Sequence, residues 1–174
     1  MATGDGLREL LARAAEGDDR ALAVLVRRTQ PDVWRLCTAL GSTDEVDDLV
    51  QETYLRAIPS IGSYRGESSV RTWLLAIARN VCADHVRRRQ RERRLVERIT
   101  QRFVEPAQVE PDFSTVSLQG LSPERRDAFV LTQIMDLSYE DAAAVVGCPV
   151  GTIRSRVFRA REDLSSTVDR RAAN

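Results

Sequence analysis

Four arginines stand close together near the C-terminus, with no acid between Val150 and Arg161: Arg154, Arg156, Arg159 and Arg161. Guanidinium groups bind phosphates and the acceptor edge of guanine through paired hydrogen bonds. Thr152 and Ser155, in the same segment, add hydroxyls that can donate or accept hydrogen bonds. This chemistry is recognition of a polyanion such as nucleic acid, and it breaks no bonds.

The residues just before these arginines predict two helices joined by a tight turn. Ala143, Gly147 and Ile153 follow one another at spacings of four and six residues. A small residue lets two helices approach, glycine adopts the positive φ of the turn, and a branched apolar residue fills the space between the helices. The pattern favours a helix-turn-helix over a simple helical hairpin with a solvated arginine face.

A second basic segment combines arginines with an aromatic and an amide side chain. Thr72, Trp73, Arg79 and Asn80 precede the run Arg87–Arg89. Such a set suits single-stranded or melted DNA, where bases stack and phosphates are neutralised. Trp73 also lies on the apolar stripe of its helix, which indicates core packing. For Tyr64, in the glycine-flanked loop before it, anchoring the loop and contacting a base are equally compatible with the sequence.

A third set of polar residues forms one face of a helix: Asp44, Asp47, Asp48, Gln51 and Glu52. On these residues alone the stripe is a solvated surface or a protein-docking face. Carboxylates without histidine are a poor transition-metal site, so no metal is expected. The chain shows no nucleophile–base pair and no phosphate-binding glycine loop, so we expect neither enzyme activity nor a cofactor.

Composition and charge place these sets on separate parts of the chain. All 26 basic residues are arginine. The net charge is zero, but basic and acidic residues are concentrated in different segments of the chain. The net charge is −4 over residues 1–70, +7 over 71–102, −6 over 103–149 and +3 over 150–174. Two basic blocks separated by acidic ones predict two polyanion contacts on one chain.

The elements that must position these residues are predicted to be helices. Apolar residues recur at helical spacing and no alternating run indicates a strand. Pro31 should kink or restart the second helix, Ser42 and Glu45 have capping-box spacing, and Ser122-Pro123 begins a later helix. We therefore predict an all-α protein of two small helical domains, residues 1–102 and 115–174, joined by a short linker over 103–114.

No apolar stretch approaches the roughly 20 residues that span a bilayer. The N-terminal residues 1–13 contain acids and lack the apolar core of a signal peptide. The sequence therefore predicts a cytoplasmic protein without membrane contact.

Three stretches, in the same order along the chain, resemble the extracytoplasmic-function (ECF) group of the sigma-70 family. DDLVQETYLRA at 47–57 resembles the family's polymerase-binding helix. SYRGES at 63–68 and RTWLLAIARN at 71–80 resemble its −10-element loop and helix. LSYEDAA at 137–143 and CPVGTIRSRVFRAR at 148–161 resemble its −35-reading motif.

The resemblance implies a role for each set of residues. It assigns binding of core RNA polymerase to Asp47, Asp48, Gln51, Glu52 and Leu55. It assigns −10 DNA, with a base flipped into a pocket near the loop, to Tyr64, Arg65, Thr72, Trp73, Arg79, Asn80, Arg87 and Arg88. It assigns the −35 element to Thr152, Arg154, Ser155, Arg156, Phe158, Arg159 and Arg161. The implied partners are promoter DNA, the clamp helices of β′, the flap of β, and an anti-sigma factor.

Two other classes of protein account for part of the sequence. A stand-alone helix-turn-helix regulator explains the C-terminal motif and leaves the acidic helix and the Trp73 helix without a role. A helical adaptor protein leaves the arginine-rich helix without a role.

Overall fold

The computed structural model describes residues 3–41, 43–100 and 118–172, and helices are its regular elements. The α-helices are α1 (Thr3–Ala15), α2 (Asp19–Leu40), α3 (Val46–Ser60), α4 (Val70–Thr100), α5 (Pro123–Phe129), α6 (Tyr139–Val146) and α7 (Val150–Ala172). Single 3-10 turns occupy Thr43–Glu45, Ile61–Ser63 and Leu118–Gly120, and a π-helical turn spans Val130–Ile134. The all-helical prediction is confirmed. The expected linker lies outside the described residues.

The second helix does not restart at its proline. α2 begins at its N-cap Asp18, whose Oδ1 accepts hydrogen bonds from the amides of Arg20 and Ala21 at 2.9 and 3.0 Å. It then runs through Pro31 to Leu40, so the expected restart at this proline is wrong. Pro31 has no amide hydrogen to donate to the carbonyl of Arg27, four residues earlier. Both residues lie on the exposed side of α2, where water can hydrogen-bond to that carbonyl.

α3 and α4 pack on α2 to complete the N-terminal domain. Leu49 and Val50 of α3 belong to one buried apolar cluster with Leu36 and Cys37 of α2. Ser69 caps α4 because its hydroxyl accepts from the amide of Thr72 at 3.0 Å. Ser42 of the expected capping box lies outside the described residues.

The C-terminal domain contains the predicted helix-turn-helix. Ser122 accepts from the amide of Arg125 and begins α5, as its pairing with Pro123 predicted. Ser138 caps α6 through the amide of Asp141 at 3.0 Å. Gly147 takes φ +75° and turns the chain into α7, and Ile153 is fully buried between the helices.

The two domains pack against each other along α4. Leu74 and Leu75 of α4 belong to the same apolar cluster as Leu131, Met135 and Leu137 of the C-terminal domain. α6 lies across the first turns of α4, and the π-helical turn touches α2. The face of α4 toward the C-terminal domain is therefore covered.

Candidate functional site

The outward face of α7 is a row of arginines around an exposed phenylalanine. Arg154, Ser155, Arg159 and Phe158 are exposed, and Phe158 retains 63% of its accessible surface. Val157 and Ala160, on the opposite side, are buried. An aromatic ring that stays in water on a polar helix face is available to a partner surface.

The other predicted residues of α7 are more constrained than the sequence suggested. Thr152 and Arg156 are half-buried, and the Nη1 of Arg156 lies 3.9 Å from the sulfur of Cys148. Arg161 is exposed, but its Nη2 donates to Oε1 of Gln133 at 2.7 Å. Within the described residues, Arg154 and Arg159 are the arginines of this face that make no side-chain hydrogen bond or ion pair.

The polar face of α3 combines acids with exposed aliphatic side chains. Asp47, Asp48 and Gln51 are exposed and Glu52 is half-buried. Leu55 and Ile58, one turn further on, retain 59% and 40% of their surface. An apolar pair exposed beside acids is a feature of protein-binding surfaces. Ile58 did not enter the sequence prediction, although it lies three residues from Leu55 and therefore on the same face.

A chain of charged side chains connects this face to α4. Arg56 donates from Nε to Glu52 at 2.7 Å and from Nη1 to Asp84 at 2.8 Å, and Asp84 also accepts from Arg87. The hydrogen bonds from Arg56 and Arg87 lower the pKa of Asp84, and those to Asp84 and Glu52 raise the pKa of Arg56. These side chains are 44–66% exposed. Ion pairs this exposed add little to the stability of the fold, so their main effect is to orient the side chains.

The loop before α4 is held by its aromatic ring. The Tyr64 hydroxyl donates to the carbonyl of Ser68, and its ring meets Trp73 edge-on with centroids 5.6 Å apart. Both rings are half-buried. These contacts anchor the loop, which is one of the two roles that the sequence left open for Tyr64. Trp73 packs against the core, as its place on the apolar stripe indicated.

The remaining residues predicted around α4 fall into two groups. Arg65, Asn80, Arg87 and Arg88 are exposed. Thr72 and Arg79 instead contact the C-terminal domain. The Thr72 hydroxyl donates to Asp141 at 3.0 Å, and Nε of Arg79 donates to Asp127 at 2.7 Å.

Asp127 and its neighbours were not found from the sequence. Asp127 is 8% exposed, and burial raises the pKa of its carboxyl although the Arg79 guanidinium opposes this shift. Arg71 adds a hydrogen bond to the carbonyl of Met135 at 3.1 Å. Arg79 and Asp127 are 48 residues apart, and no local pattern signals such a contact.

His85 is buried between α3 and α4. Its imidazole is 6% exposed, and Nε2 lies 2.7 Å from Oε2 of Glu45. This contact joins the start of α3 to α4. Within the described residues no group of histidine, cysteine and acidic side chains could hold a metal ion. In the same residues no helix is long and apolar enough to cross a membrane.

Family comparisons decide between the candidate classes. Sigma-70 region 2 matches residues 25–92, and Sigma-70, region 4 matches residues 116–164. The chain belongs to the sigma-70 family. The ECF RNA polymerase sigma factor SigC of Mycobacterium tuberculosis is 45% identical over 171 residues, covering 92% of this chain and 90% of the relative. The ECF RNA polymerase sigma-E factor of Haemophilus influenzae is 35% identical, covering 91% and 93%.

Two solved structures share the fold. CnrH, in complex with the cytosolic domain of CnrY, superposes with a TM-score of 0.73 at 30% identity, covering 94% of this chain and 97% of that one. RpoE from Bartonella quintana, in complex with the anti-sigma factor NepR, gives a TM-score of 0.66 at 33% identity, covering 87% and 97%.

This protein is therefore an ECF sigma factor that directs RNA polymerase to promoters, and it is not an enzyme. The match of region 2 excludes the stand-alone helix-turn-helix regulator, which left residues 25–92 without a role.

Proposed function

We propose that this sigma factor divides promoter recognition among three surfaces. The docking face of α3 (Asp47, Asp48, Gln51, Glu52, Leu55 and Ile58) binds core polymerase. The −10 surface consists of the loop 61–69 and the polar side of α4. The −35 surface is the outward side of α7. The observation that carries the proposal is the exposure of apolar side chains on two of these surfaces, Leu55 and Ile58 on α3 and Phe158 on α7.

The docking face fits a basic helical partner, which in the polymerase is the pair of clamp helices of β′. Asp48 and Gln51 are free to pair with cations and amides, while Leu49 and Val50 hold α3 in the core. Leu55 and Ile58 supply apolar contact beside the charges. Complementary charge sets the register of such an interface, and buried apolar area stabilises it.

The C-terminal domain meets the flap of β.

The −10 surface is proposed to hold one unpaired strand. Asn80 offers an amide to a base edge, and Arg65, Arg87 and Arg88 reach phosphates. Tyr64 and Trp73 form the wall of the loop. Thr72 and Arg79 complete this surface only when they are released from Asp141 and Asp127.

The covered part of α4 requires a rearrangement during promoter binding. Arg79 cannot pair with Asp127 and with a phosphate through the same nitrogen atoms, so we propose that the C-terminal domain leaves α4 before the −10 strand binds. α3 and α7 are exposed in the packed arrangement. Polymerase therefore reaches its docking face while Thr72 and Arg79 of the −10 surface are still covered.

The −35 surface is proposed to enter the major groove. Arg154 and Arg159 suit guanine edges, Phe158 suits a thymine methyl group, and Ser155 accepts or donates to either. In this proposal Thr152, Arg156 and Arg161 contact the flanking phosphates.

Three further proposals concern an anti-sigma partner, the location of the protein and the domain boundaries. Because RpoE from Bartonella quintana is bound to the anti-sigma factor NepR in its solved structure, we assign an anti-sigma factor as a partner of this chain. A transcription subunit acts with polymerase in the cytoplasm. We place the domain boundaries at residues 1–102 and 115–174, with the linker 103–114 threading the polymerase.

A mobility-shift experiment tests the proposal. A promoter duplex is titrated with the purified chain alone and with the chain plus core polymerase. The expected result is a specific complex that forms only with core, and a variant with Asp48→Arg and Glu52→Arg loses it. A specific complex formed by the chain alone would contradict the proposal.

A further inference from the structure

The N-terminal helix α1 lies outside the segment that matches region 2, which begins at residue 25. It nevertheless packs directly beneath the −10 loop. Leu11 of α1 is 4% exposed and forms an apolar cluster with Leu25, Ile61 and Val70. Ile61 begins the loop and Val70 begins α4. Both ends of the loop thus rest on α1.

The same cluster reaches the aromatic wall of the loop. Leu7, Leu10 and Ala14 of α1 pack around it together with Tyr64 and Trp73. Tyr64 closes the loop through its bond to the Ser68 carbonyl and its edge contact with Trp73. The position of the Tyr64 ring therefore depends on the position of α1.

One polar contact joins α1 to the tip of the loop. Nη2 of Arg8 donates to the carbonyl of Gly66 at 3.2 Å. Gly66 has φ +73°, a left-handed conformation that side chains other than glycine rarely adopt. The direction of the Gly66 carbonyl depends on the conformation of this turn. A hydrogen bond from Arg8 to that carbonyl therefore restrains the orientation of the loop tip.

We propose that α1 is the platform of the −10 loop and that Arg8 is a positioning residue for −10 recognition. Arg8 does not touch DNA. It fixes the Gly66 carbonyl and thereby the direction in which Tyr64 and Arg65 face the unpaired strand. The inference rests on the proposed role of the loop in −10 recognition.

The test compares promoter selectivity among variants of α1. Holoenzymes carrying Arg8→Met, Arg8→Lys or Arg13→Met transcribe a matched promoter, a set of single-base −10 variants and a set of single-base −35 variants. Arg13 is the control because it lies on the same helix and bonds to Asp18, away from the loop.

Loss of one hydrogen bond is expected to reduce discrimination at the −10 element by about threefold in Arg8→Met. Arg8→Lys should recover part of it, since an ammonium group also donates to a carbonyl. Discrimination at the −35 element and the behaviour of Arg13→Met should match the unaltered protein. Gly66→Ala should reproduce the loss, because alanine is strained at φ +73°.

A measurement on the free protein separates positioning from general support. Amide hydrogen exchange over residues 61–69 should be faster in Arg8→Met, with unchanged exchange in the core of α2. If Arg8→Met lowers transcription from every promoter by one common factor, or leaves the −10 selectivity and the loop exchange unchanged, the inference is wrong. If the unaltered protein itself shows no −10 discrimination, the proposed function of the loop fails, and this inference fails with it.

Discussion

The guanidinium of Arg79 in α4 is paired with the carboxylate of Asp127 in α5, and the Nη2–Oδ2 distance is 2.5 Å. The two side chains retain only 23% and 12% of their accessible surface. An arginine assigned to −10 DNA is therefore held by an acid of the protein's other domain. Removing one partner of such a shielded pair leaves the other charge without compensation.

Charge reversal at Asp127 should separate the domains. Asp127→Arg places a second guanidinium against Arg79, and like charges at a contact cost several kcal/mol. We expect at least about tenfold tighter binding of a single-stranded −10 oligonucleotide by the free protein, and a longer distance between fluorophores on α2 and α7.

The matched control is Asp163→Arg. Asp163 pairs with Arg125 inside the C-terminal domain, so this variant carries the same charge change without touching α4. Equal effects of the two substitutions would show that net charge, and not the contact between the domains, controls −10 binding.

The docking face of α3 gives the second prediction. Asp48→Arg and Glu52→Arg together should weaken binding to core polymerase, because each lost partner at a buried charged interface costs about 2–5 kcal/mol. The melting temperature should change little, since Asp48 is exposed and Glu52 half-buried. A fluorescence titration with core measures the affinity. Glu9→Arg, an exposed acid on α1, is the control, and an unchanged affinity in the double variant would remove the docking assignment.

The −10 surface gives the third prediction. Asn80→Ala should impair strand opening more than initial promoter binding, because Asn80 is exposed and is proposed to meet only an unpaired base. Tyr64→Phe removes the hydroxyl that bonds to Ser68 and keeps the ring, so it should loosen the loop less than Tyr64→Ala. Permanganate reactivity of promoter thymines reports opening. Normal reactivity in both Asn80→Ala and Tyr64→Ala would defeat the assignment.

The sequence predicted the parts of this molecule that depend on local rules. Ser122 before Pro123, Ser138 before α6 and Gly147 after it all act as their residue types require. Exposure of Asp48 followed from helical periodicity, and that of Phe158 from the family resemblance. These features are set by neighbours within a few residues, and so a single sequence suffices.

The contacts between distant segments were beyond such rules. Asp141 is a good residue for the first turn of α6 in any protein, and nothing in its neighbourhood indicates its bond to Thr72, 69 residues away. Helical spacing alone left open whether Pro31 kinks or restarts α2, and the structure shows one continuous helix. The helix continues because Pro31 lies on its exposed side, where water replaces the lost backbone hydrogen bond at little cost in free energy.

The fourth prediction separates base reading from phosphate binding in α7. Arg159 is exposed and makes no hydrogen bond or ion pair with the part of the chain that the structure describes, whereas Arg161 bonds to Gln133. A bidentate arginine–guanine contact gives about 1–3 kcal/mol of discrimination. Arg159→Ala should therefore lower transcription most on promoters with an intact −35 element and reduce the difference between intact and altered elements.

Arg161→Ala should instead lower all promoters alike and reduce the salt slope of binding by about one, as expected for a phosphate contact. Single-base −35 variants in a transcription assay distinguish the two. A uniform decrease with Arg159→Ala would assign that residue to a phosphate.

Run-off transcription tests the central claim most directly. Core polymerase is mixed with the purified chain and with genomic promoter fragments, and the transcripts are mapped. The account predicts discrete transcripts that require the chain and that disappear when either the −10 or the −35 element is altered. Discrete transcription by core without the chain, or transcripts unaffected by both elements, would contradict it.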